Sequence, residues 1–354
     1  MERNLKPMRN HERRTFRLVQ TLFLAALLFL SACSPESADD EAEQIYFTTL
    51  THKGLDTERH VRMSFAPQVY RYDGGDTYQL VFELPSKDDY ETRIFNSSLY
   101  YGLSSAGYKN DSIELRHVDL ENGVEELCAV IPCKRLWSIE ADDGGVYALA
   151  ELGDEYCIYR LNDGRLTELV REPYIAPERF SVGGGYVFYI SGSGKLMRID
   201  AESLEKTIID EVLTVAHTAY DNERIYVSFT HCYSYSAKGG EPCLETADES
   251  LKKHETPPEQ SLSIGIPAVH DGWIYHRTVR EGYTIEVRNR DTDEKRAYSL
   301  DFPIGFYALE DVISFGAHGF IINDAEHSDS TLEGMNRYYY YPYEGGEGIA
   351  IELI

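Results

Sequence analysis

The sequence is poor in the features that mark most nucleic-acid-binding proteins and many enzymes. It has only 2 Trp and 6 Cys, and its 34 Lys and Arg face 60 Asp and Glu, which gives a formal net charge of −26. Such an excess of negative charge opposes binding to nucleic acid and to anionic membrane surfaces. It is typical of a solvated acidic surface; the alternatives are cation binding and a partner protein with a basic patch.

Catalytic motifs are missing as well. The chain has no Gly-x-Ser-x-Gly nucleophile elbow, no His-Glu-x-x-His zinc motif and no haem-type Cys-x-x-Cys-His. Residues 191–195 end like a phosphate loop, but Leu196 stands where Ser or Thr would hold magnesium. Residues 289–293 alternate oxygen ligands, but Leu300 replaces the glutamate of a calcium loop. Both segments are predicted to be turns, and the sequence predicts no catalytic, metal or cofactor site.

The N-terminus is organised like a bacterial export signal. Arginines at positions 9, 13, 14 and 17 precede a mostly apolar run over residues 18–30. This run is too short to span a bilayer comfortably and suits the central region of a signal peptide, so residues 1–32 are predicted to be one. The pair Arg13-Arg14 resembles a twin-arginine signal, but Glu12 departs from that pattern and the strongly apolar run favours general secretion.

The segment Leu30-Ser31-Ala32-Cys33 resembles the lipobox of bacterial lipoproteins. The resemblance implies several acyl chains on Cys33 and stable membrane anchoring. Ser34 is not aspartate, which in the Gram-negative pattern implies the outer membrane, facing the periplasm or the cell surface. Residues 33–44 are small and acidic, the composition of a disordered tether. The alternatives are a secreted protein and a single-pass anchor with an unrelated cysteine.

Short β-strand patterns recur along the rest of the chain. The 27 Tyr and 14 Phe suit half-buried strands. Turn residues precede apolar anchors at positions 99, 146, 187, 225, 274 and 320, and the spacing averages about 44 residues. Asn122-Gly123 and Asp163-Gly164 are dipeptides preferred in hairpin turns. The pattern predicts a repeated unit of three to four short strands.

Repeats of this length resemble the blades of bacterial β-propellers of the TolB-like and quinoprotein-like kinds. Blades arranged around an axis cover one another, and closing the ring protects their edges. We therefore expect an all-β chain with one β-propeller domain over residues 45–354. Seven blades are expected if the irregular segment 45–94 supplies one. Six blades and a stacked pair of β-sandwiches are the alternatives.

Five cysteines remain after Cys33, and export implies an oxidising compartment that permits disulfide bonds. Cys157 lies in a predicted strand and is expected to be a buried free thiol. The other four form two pairs with spacings that suit local disulfide bonds; the alternative for each pair is unbonded cysteines. The candidate pairs are Cys128 with Cys133 and Cys232 with Cys243.

Three classes of function are compatible with such a protein. The first is a protein-interaction scaffold, held in the envelope by lipid on Cys33, that presents a rigid disc to a protein partner; this resembles the role of the propeller lipoprotein in the outer-membrane barrel assembly machinery. The second is a glycan- or peptide-binding sensory module. The third, a propeller lyase or hydrolase, is disfavoured by the missing motifs. No metal or catalytic cluster is predicted among the scattered histidines at 217, 231, 270 and 276.

Overall fold

The structure is a computed structural model that describes most of the chain after residue 43. The predicted signal peptide, Cys33 and the tether up to residue 43 lie outside the described residues. No helix long and apolar enough to cross a membrane occurs in the part of the chain that is described. The described residues are 44–49, 53–56, 61–64, 66–75, 77–85, 90–106, 111–176, 180–211, 217–228, 231–239, 243–247, 268–278, 284–300, 313–323 and 337–352.

Within these residues the strands form six four-stranded sheets, one three-stranded sheet and one separate hairpin. Each of the seven larger sheets is a blade of antiparallel strands. Blade 1 contains β1 (Ile45–Thr48), β4 (Gln68–Tyr72) and β5 (Tyr78–Glu83), and the hairpin β2 (Lys53–Asp56) and β3 (Val61–Ser64) separates β1 from β4 in the sequence.

The other six blades follow in chain order, and in each the strand order in the sheet is the order in the sequence. Blade 2 is β6 (Tyr90–Phe95), β7 (Ser98–Leu103), β8 (Ile113–Asp119) and β9 (Val124–Ile131); blade 3 is β10 (Arg135–Asp142), β11 (Gly145–Leu152), β12 (Glu155–Asn162) and β13 (Arg165–Glu172); blade 4 is β14 (Ser181–Gly183), β15 (Tyr186–Ile190), β16 (Lys195–Asp200) and β17 (Lys206–Glu211). Blade 5 is β18 (His217–Asp221), β19 (Arg224–Ser228), β20 (His231–Ser236) and β21 (Cys243–Ala247); blade 6 is β22 (Ala268–His270), β23 (Trp273–Thr278), β24 (Thr284–Asn289) and β25 (Lys295–Ser299); blade 7 is β26 (Ile313–Phe315), β27 (Gly319–Asn323), β28 (Arg337–Pro342) and β29 (Ile349–Glu352).

The apolar anchors of the sequence explain this regularity. All six lie in the second strand of a blade, where side chains are covered on both faces of the sheet, and all are buried. The predicted seven-bladed β-propeller is confirmed, and the six-bladed and β-sandwich alternatives are wrong. The anchors are Leu99, Val146, Val187, Ile225, Ile274 and Phe320.

Apolar clusters between neighbouring blades hold the ring together and close it. Every blade shares one cluster with the blade before it and another with the blade after it. The ring closes where blade 1 meets blade 7: the rings of Phe47 and Tyr338 lie 4.7 Å apart, and those of Tyr72 and Tyr340 lie 4.8 Å apart. First strands of consecutive blades contact one another around most of the ring, so the first strand of each blade is the innermost.

The up-and-down strand order gives the propeller two different faces. The turns from first to second strand and from third to fourth strand lie together on one face, which we call the turn face. The connections from second to third strand and from blade to blade lie on the opposite face. Because the turns are short, side chains of blades 5, 6 and 7 lie close together on the turn face.

The predicted bond between Cys128 and Cys133 is absent, since both are free thiols. Cys128 is the extra residue of a β-bulge in β9, and the strand runs on to Ile131 before the chain turns to Cys133. An extended strand rises about 3.3 Å per residue, which carries the two α-carbons beyond the roughly 7 Å that a disulfide spans. Cys157 is buried and free, as predicted.

The side chains of Cys232 and Cys243 lie outside the described residues, so the second pairing stays a prediction. Their backbones belong to neighbouring strands, β20 and β21. The register places Cys232 opposite Thr246 and Cys243 opposite Ser234. A bond would therefore join diagonal positions of the strand pair, which requires a local shift of register.

Candidate functional site

A cavity of about 520 Å³ opens on the turn face where blades 5, 6 and 7 meet. This volume lies within the range of pockets that hold small ligands. Blade 5 contributes its first turn, blade 6 its first turn and residues from all four of its strands, and blade 7 both of its turns. The lining residues are Asp221, Asn222, His270, Asp271, Trp273, Tyr275, Val287, Arg296, Tyr298, Gly316, Ala317 and Tyr343.

Two tight turns bring the acidic groups to the cavity. Asn222 and Glu223 in blade 5, and Asp271 and Gly272 in blade 6, all have positive φ angles of 45° to 76°. Two consecutive residues of this kind form the type I′ turn that matches strand twist in a two-residue hairpin. Asparagine, aspartate and glycine tolerate this conformation best, and the sequence supplies one or two of them at each turn.

Asp221 links these two turns across the blade boundary. Its carboxylate accepts hydrogen bonds from the backbone N–H of Gly272 at 2.7 Å and from that of Asp271 at 3.0 Å. Burial raises the pKa of Asp221 above its ordinary value, although both hydrogen bonds and the nearby His270 act to lower it. The carboxylate thus fixes the position of the blade 6 turn and places an acceptor at the edge of the cavity.

His270 ends the innermost strand of blade 6 and is packed against two aromatic rings. Its imidazole stacks on Phe315 with a centroid distance of 4.4 Å and an interplanar angle of 5°, and Tyr343 lies 6.3 Å away at 26°. Burial lowers the pKa of His270, and the carboxylates of Asp221 and Asp271 only partly oppose this effect. The imidazole is therefore neutral at neutral pH, and a neutral imidazole has one donor and one acceptor nitrogen.

A guanidinium group forms the opposite side of the cavity. Arg296 lies 4.3 Å above the centroid of the Trp273 ring, donates a hydrogen bond to the carbonyl oxygen of Tyr343 in blade 7, and pairs with Glu294 at 2.9 Å. The hydroxyl of Tyr298 donates to the same Tyr343 carbonyl at 3.0 Å. These contacts fix the Arg296 fork, since a cation–π contact and charge-assisted hydrogen bonds restrict the same group.

The aromatic cluster between blades 6 and 7 makes a rigid floor. Phe320 is fully buried and packs edge-to-face on Tyr298 at 5.0 Å and on Tyr275 at 5.4 Å. Burial raises the pKa values of Tyr275 and Tyr298, so their hydroxyl groups stay protonated at neutral pH. Val287 lies opposite Arg296 in the strand register, and its small side chain leaves space in the floor of the cavity. The site therefore combines apolar ring surfaces with fixed donors and acceptors.

The histidines singled out in the sequence do not form one cluster. His270 lines the cavity, but His276 lies farther along β23 with its Nε2 atom 3.4 Å from a carboxylate oxygen of Glu286. The side chains of His217 and His231 lie outside the described residues. No group of three or more His, Cys, Asp or Glu side chains in the described ranges is placed to hold a metal ion.

Sequence reasoning missed most of the cavity. Asp221 and Asp271 belong to the turns that precede the anchors at positions 225 and 274, and the repeat pattern does not indicate that they share a site with Arg296 and Tyr343. One signal was available: the residue that ends the first strand is charged or ionisable in blades 3, 5 and 6, as Asp142, Asp221 and His270. Because the first strand is the innermost strand of each blade, the residues that end it lie close together near the axis of the propeller.

Comparison with solved structures supports the fold. A protein assigned as a 6-phosphogluconolactonase from Bacteroides fragilis superposes with a TM-score of 0.53 at 10% identity, covering 90% of this chain and 96% of that chain. A second protein assigned to this activity, from Bacteroides uniformis, gives 0.52 at 10% identity and covers 87% and 95%. Sqt1 from Saccharomyces cerevisiae gives 0.51 at 10% identity and covers 86% of each chain. At these identities the likeness concerns the fold alone.

TolB from Acinetobacter baumannii is also among the similar structures, with a TM-score of 0.42, 12% identity and coverage of 77% of this chain and 67% of that chain. The sequence matches no protein-family model. It also matches no curated protein. Function is therefore inferred from the geometry and chemistry of the site itself.

Proposed function

We propose that this chain is a lipid-anchored binding protein of the cell envelope that holds a small neutral glycan in the cavity between blades 5, 6 and 7. The observation that supports it is the combination of aromatic walls with fixed polar groups in one cavity of about 520 Å³. Pockets of this kind bind through their apolar surfaces and select through a few placed polar groups.

The chemistry of the lining favours a neutral ligand over an anionic one. The carboxylates of Asp221 and Asp271 lie at the edge of the cavity, and the charge of Arg296 is already matched by Glu294. An anionic ligand would meet two carboxylates without a free cation among the lining residues. Trp273 and Tyr343 are partly exposed and offer aromatic surface to a sugar ring, while the carboxylates and His270 offer hydrogen-bond partners to its hydroxyl groups. A short peptide is the alternative ligand, as the sequence also indicated.

The two tryptophans of the chain allow a direct test. Trp273 lines the cavity, while Trp137 lies in blade 3 with Arg135 stacked 3.5 Å above its ring. In the Trp137→Phe protein, fluorescence reports on Trp273 alone. We expect a saturable change on titration with neutral oligosaccharides, and we expect Asp271→Asn to weaken it. Absence of saturation with a panel of neutral oligosaccharides and tripeptides would refute the proposal.

Membrane anchoring is a separate part of the proposal and has a separate test. The small-residue approach to Cys33 and the acidic tether after it support lipidation at that residue. Cys33→Ser should release the protein from the membrane fraction and change its processing. A variant that stays in the membrane as firmly as the wild type would show that lipidation is not the anchor.

A second candidate function is the protein-interaction scaffold. Large apolar side chains stay exposed on the outermost strands, among them Leu80, Leu127 and Val130 at about half of their full exposure. Contiguous exposed apolar surface on a soluble domain is a mark of protein interaction. The two functions use different parts of the propeller, because the cavity lies on the turn face and these side chains lie on the rim.

A further inference from the structure

Blade 1 is incomplete at its outer edge. The other six blades end in a fourth strand, but blade 1 ends in its third, β5, which has no strand partner on its outer side among the described residues. Only residues 84–89 join β5 to the next blade, whereas a whole fourth strand lies at this point in every other blade. The N–H and C=O groups along the free edge of β5 are a template for another strand.

Apolar side chains flank the vacant position from both neighbouring blades. In blade 2, Leu127 lies opposite Arg116 in the register, and Arg116 shares a strand face with Val118, which is buried against blade 1. Leu127 therefore faces blade 1, at 50% exposure. Val130 lies opposite Glu114 on that same face and is 51% exposed.

Blade 7 and blade 1 add to this surface. Ile349 of β29 lies opposite Tyr340, which is buried against blade 1, so Ile349 also faces blade 1 and is 38% exposed. Leu80 of β5 itself is 49% exposed. A fourth strand paired with β5 would lie beside these side chains and reduce their exposure. We call the free edge of β5 with Leu80, Leu127, Val130 and Ile349 the open edge.

The charged residues of the outermost strands at the open edge are all acidic. The three outermost strands there, β5, β9 and β29, contain four glutamates and no Lys or Arg. The nearby cation on β8, Arg116, is already paired with Glu114 at 2.6 Å and Glu125 at 2.7 Å. An incoming strand with Lys or Arg between its apolar residues complements this surface, whereas a second copy of the acidic chain would be repelled.

We propose that the open edge of blade 1 accepts an extended strand of a partner protein, with apolar residues alternating with Lys or Arg, as the missing fourth strand. Backbone hydrogen bonds to β5 supply affinity, and the apolar side chains select the register. The proposal rests on the scaffold function and names the surface and the kind of partner segment that serve it. It is independent of the cavity on the turn face.

The test uses the full chain in detergent and two synthetic eight-residue strands, one alternating Val with Lys and one alternating Val with Glu. We expect the Lys peptide to bind, measured by fluorescence anisotropy, and to slow hydrogen exchange at the amides of β5. The Glu peptide should bind at least about tenfold more weakly. Leu80→Lys and Leu127→Lys should each weaken the Lys peptide about tenfold, because each removes an apolar contact and adds a repelling charge.

The matched control is Ile208→Lys. Ile208 is 52% exposed on the outermost strand of blade 4, which is a complete blade, so its substitution should leave binding unchanged. Equal loss with Ile208→Lys, or protection at strands other than β5, would overturn the proposal. A concentration-dependent dimer abolished by Leu127→Lys would replace the partner with a second copy. Deletion of residues 34–43 that raises peptide affinity would identify the chain's own N-terminal segment as the occupant.

Crosslinking of the protein to its partners in the envelope separates this proposal from the scaffold function. Envelope proteins that crosslink equally to wild type and to Leu80→Lys would leave the scaffold function standing and refute the open edge. Loss of both the peptide and the crosslinked partner in Leu80→Lys, with both kept in Ile208→Lys, is the result expected here.

Discussion

Blades 4 and 6 are joined to the next blade by the same kind of contact, but they supply the arginine from different strands. In blade 4, Arg198 of the third strand lies 4.9 Å above the Tyr186 ring and donates to the Ala237 carbonyl of blade 5 at 2.7 Å. In blade 6, Arg296 of the fourth strand lies above Trp273 and donates to the equivalent carbonyl of blade 7.

The register shows that the two blades have exchanged the members of one cross-strand pair. Arg198 lies opposite Thr207 in blade 4, while Val287 lies opposite Arg296 in blade 6. The guanidinium of blade 6 therefore starts one strand farther from the axis, a displacement of about 4.8 Å. The space that Arg198 fills in blade 4 is left open above Val287, which is why the cavity forms at blade 6.

The residues that end the first strands of blades 4 and 6 also favour a filled space in blade 4 and a cavity in blade 6. Blade 4 ends its first strand at Gly183, where a β-carbon would lie 1.9 Å from the Tyr220 ring, so that ring fills the place of a side chain. Blade 6 has His270 at the equivalent position. One repeat is thus closed by packing, while the other presents an ionisable group to a cavity.

The largest expected effect is on stability, and it compares the packing between blades 6 and 7 with the packing between blades 4 and 5. Phe320→Ala, between blades 6 and 7, should lower the free energy of unfolding by about 3–5 kcal/mol, because Phe320 is fully buried among five other aromatic rings. Phe188→Ala, between blades 4 and 5, should cost about as much. Urea unfolding measures both. Only Phe320→Ala should also disturb the Trp273 fluorescence; equal disturbance by both variants would contradict the assignment of the cavity to blade 6.

Exchanging the cross-strand pair should move the cavity. Val287→Arg with Arg296→Thr gives blade 6 the arrangement of blade 4, and we expect it to weaken glycan binding at least about tenfold while changing stability by less than about 1.5 kcal/mol. The reverse exchange, Arg198→Val with Thr207→Arg, should open a new cavity at blade 4 and leave binding at blade 6 intact. The oligosaccharide titration and urea unfolding decide the outcome, and unchanged binding after the first exchange would break the comparison.

The arginine contacts themselves should be worth less than the aromatic packing. Arg198→Ala removes a charge-assisted hydrogen bond and a cation–π contact and should cost about 1.5–3 kcal/mol. Arg296→Ala should cost less, because its side chain is about one-third exposed and the Tyr298 hydroxyl still donates to the Tyr343 carbonyl. Urea unfolding of the two variants measures the difference. A larger loss for Arg296→Ala would mean that it anchors blade 7.

How far the sequence predicts this molecule depends on whether a feature repeats. The second-strand anchors, such as Val187 and Ile274, recur at nearly constant spacing, so six blades are visible in the sequence, and seven were expected on the condition that residues 45–94 supply another. The incomplete blade 1 was visible only as the poor fit of residues 45–94 to the repeat. The inserted hairpin, and the lack of a fourth strand for blade 1 among the residues that the structure describes, depend on tertiary packing, because the alternation within a strand does not specify its partner.

The candidate site was mostly invisible for the opposite reason. Arg296 and Tyr343 matter because they break the repeat, and a pattern search averages such departures away. The contact between Asp221 and Gly272 joins residues far apart in the sequence and depends on the angle between blades. The predicted bond from Cys128 to Cys133 failed because spacing in the sequence took no account of a strand running between the two cysteines.

The smallest expected effect concerns the histidine that distinguishes blade 6. Burial lowers the pKa of His270 below its ordinary value of 6.5, so the folded protein resists protonation that the unfolded chain accepts. The stability contributed by the neutral imidazole is therefore present above pH 6.5 and is lost as the pH falls through that value towards the lower folded pKa. Asp221 acts in the opposite sense, because its raised pKa favours the folded state as the pH falls towards its ordinary value of 3.8.

We expect the free energy of unfolding of His270→Phe to fall less than that of the wild type between pH 7.5 and about 5.5. The difference in slope should be less than about 1.4 kcal/mol per pH unit, the value for one full proton. Burial also lowers the pKa of His276, so His276→Phe should flatten the dependence in the same direction. Only His270 lines the cavity, and only its substitution should also alter the oligosaccharide titration. Urea midpoints at each pH, measured for both variants, give the comparison, and a His270→Phe curve parallel to that of the wild type would show that the imidazole is protonated equally in the folded and unfolded protein.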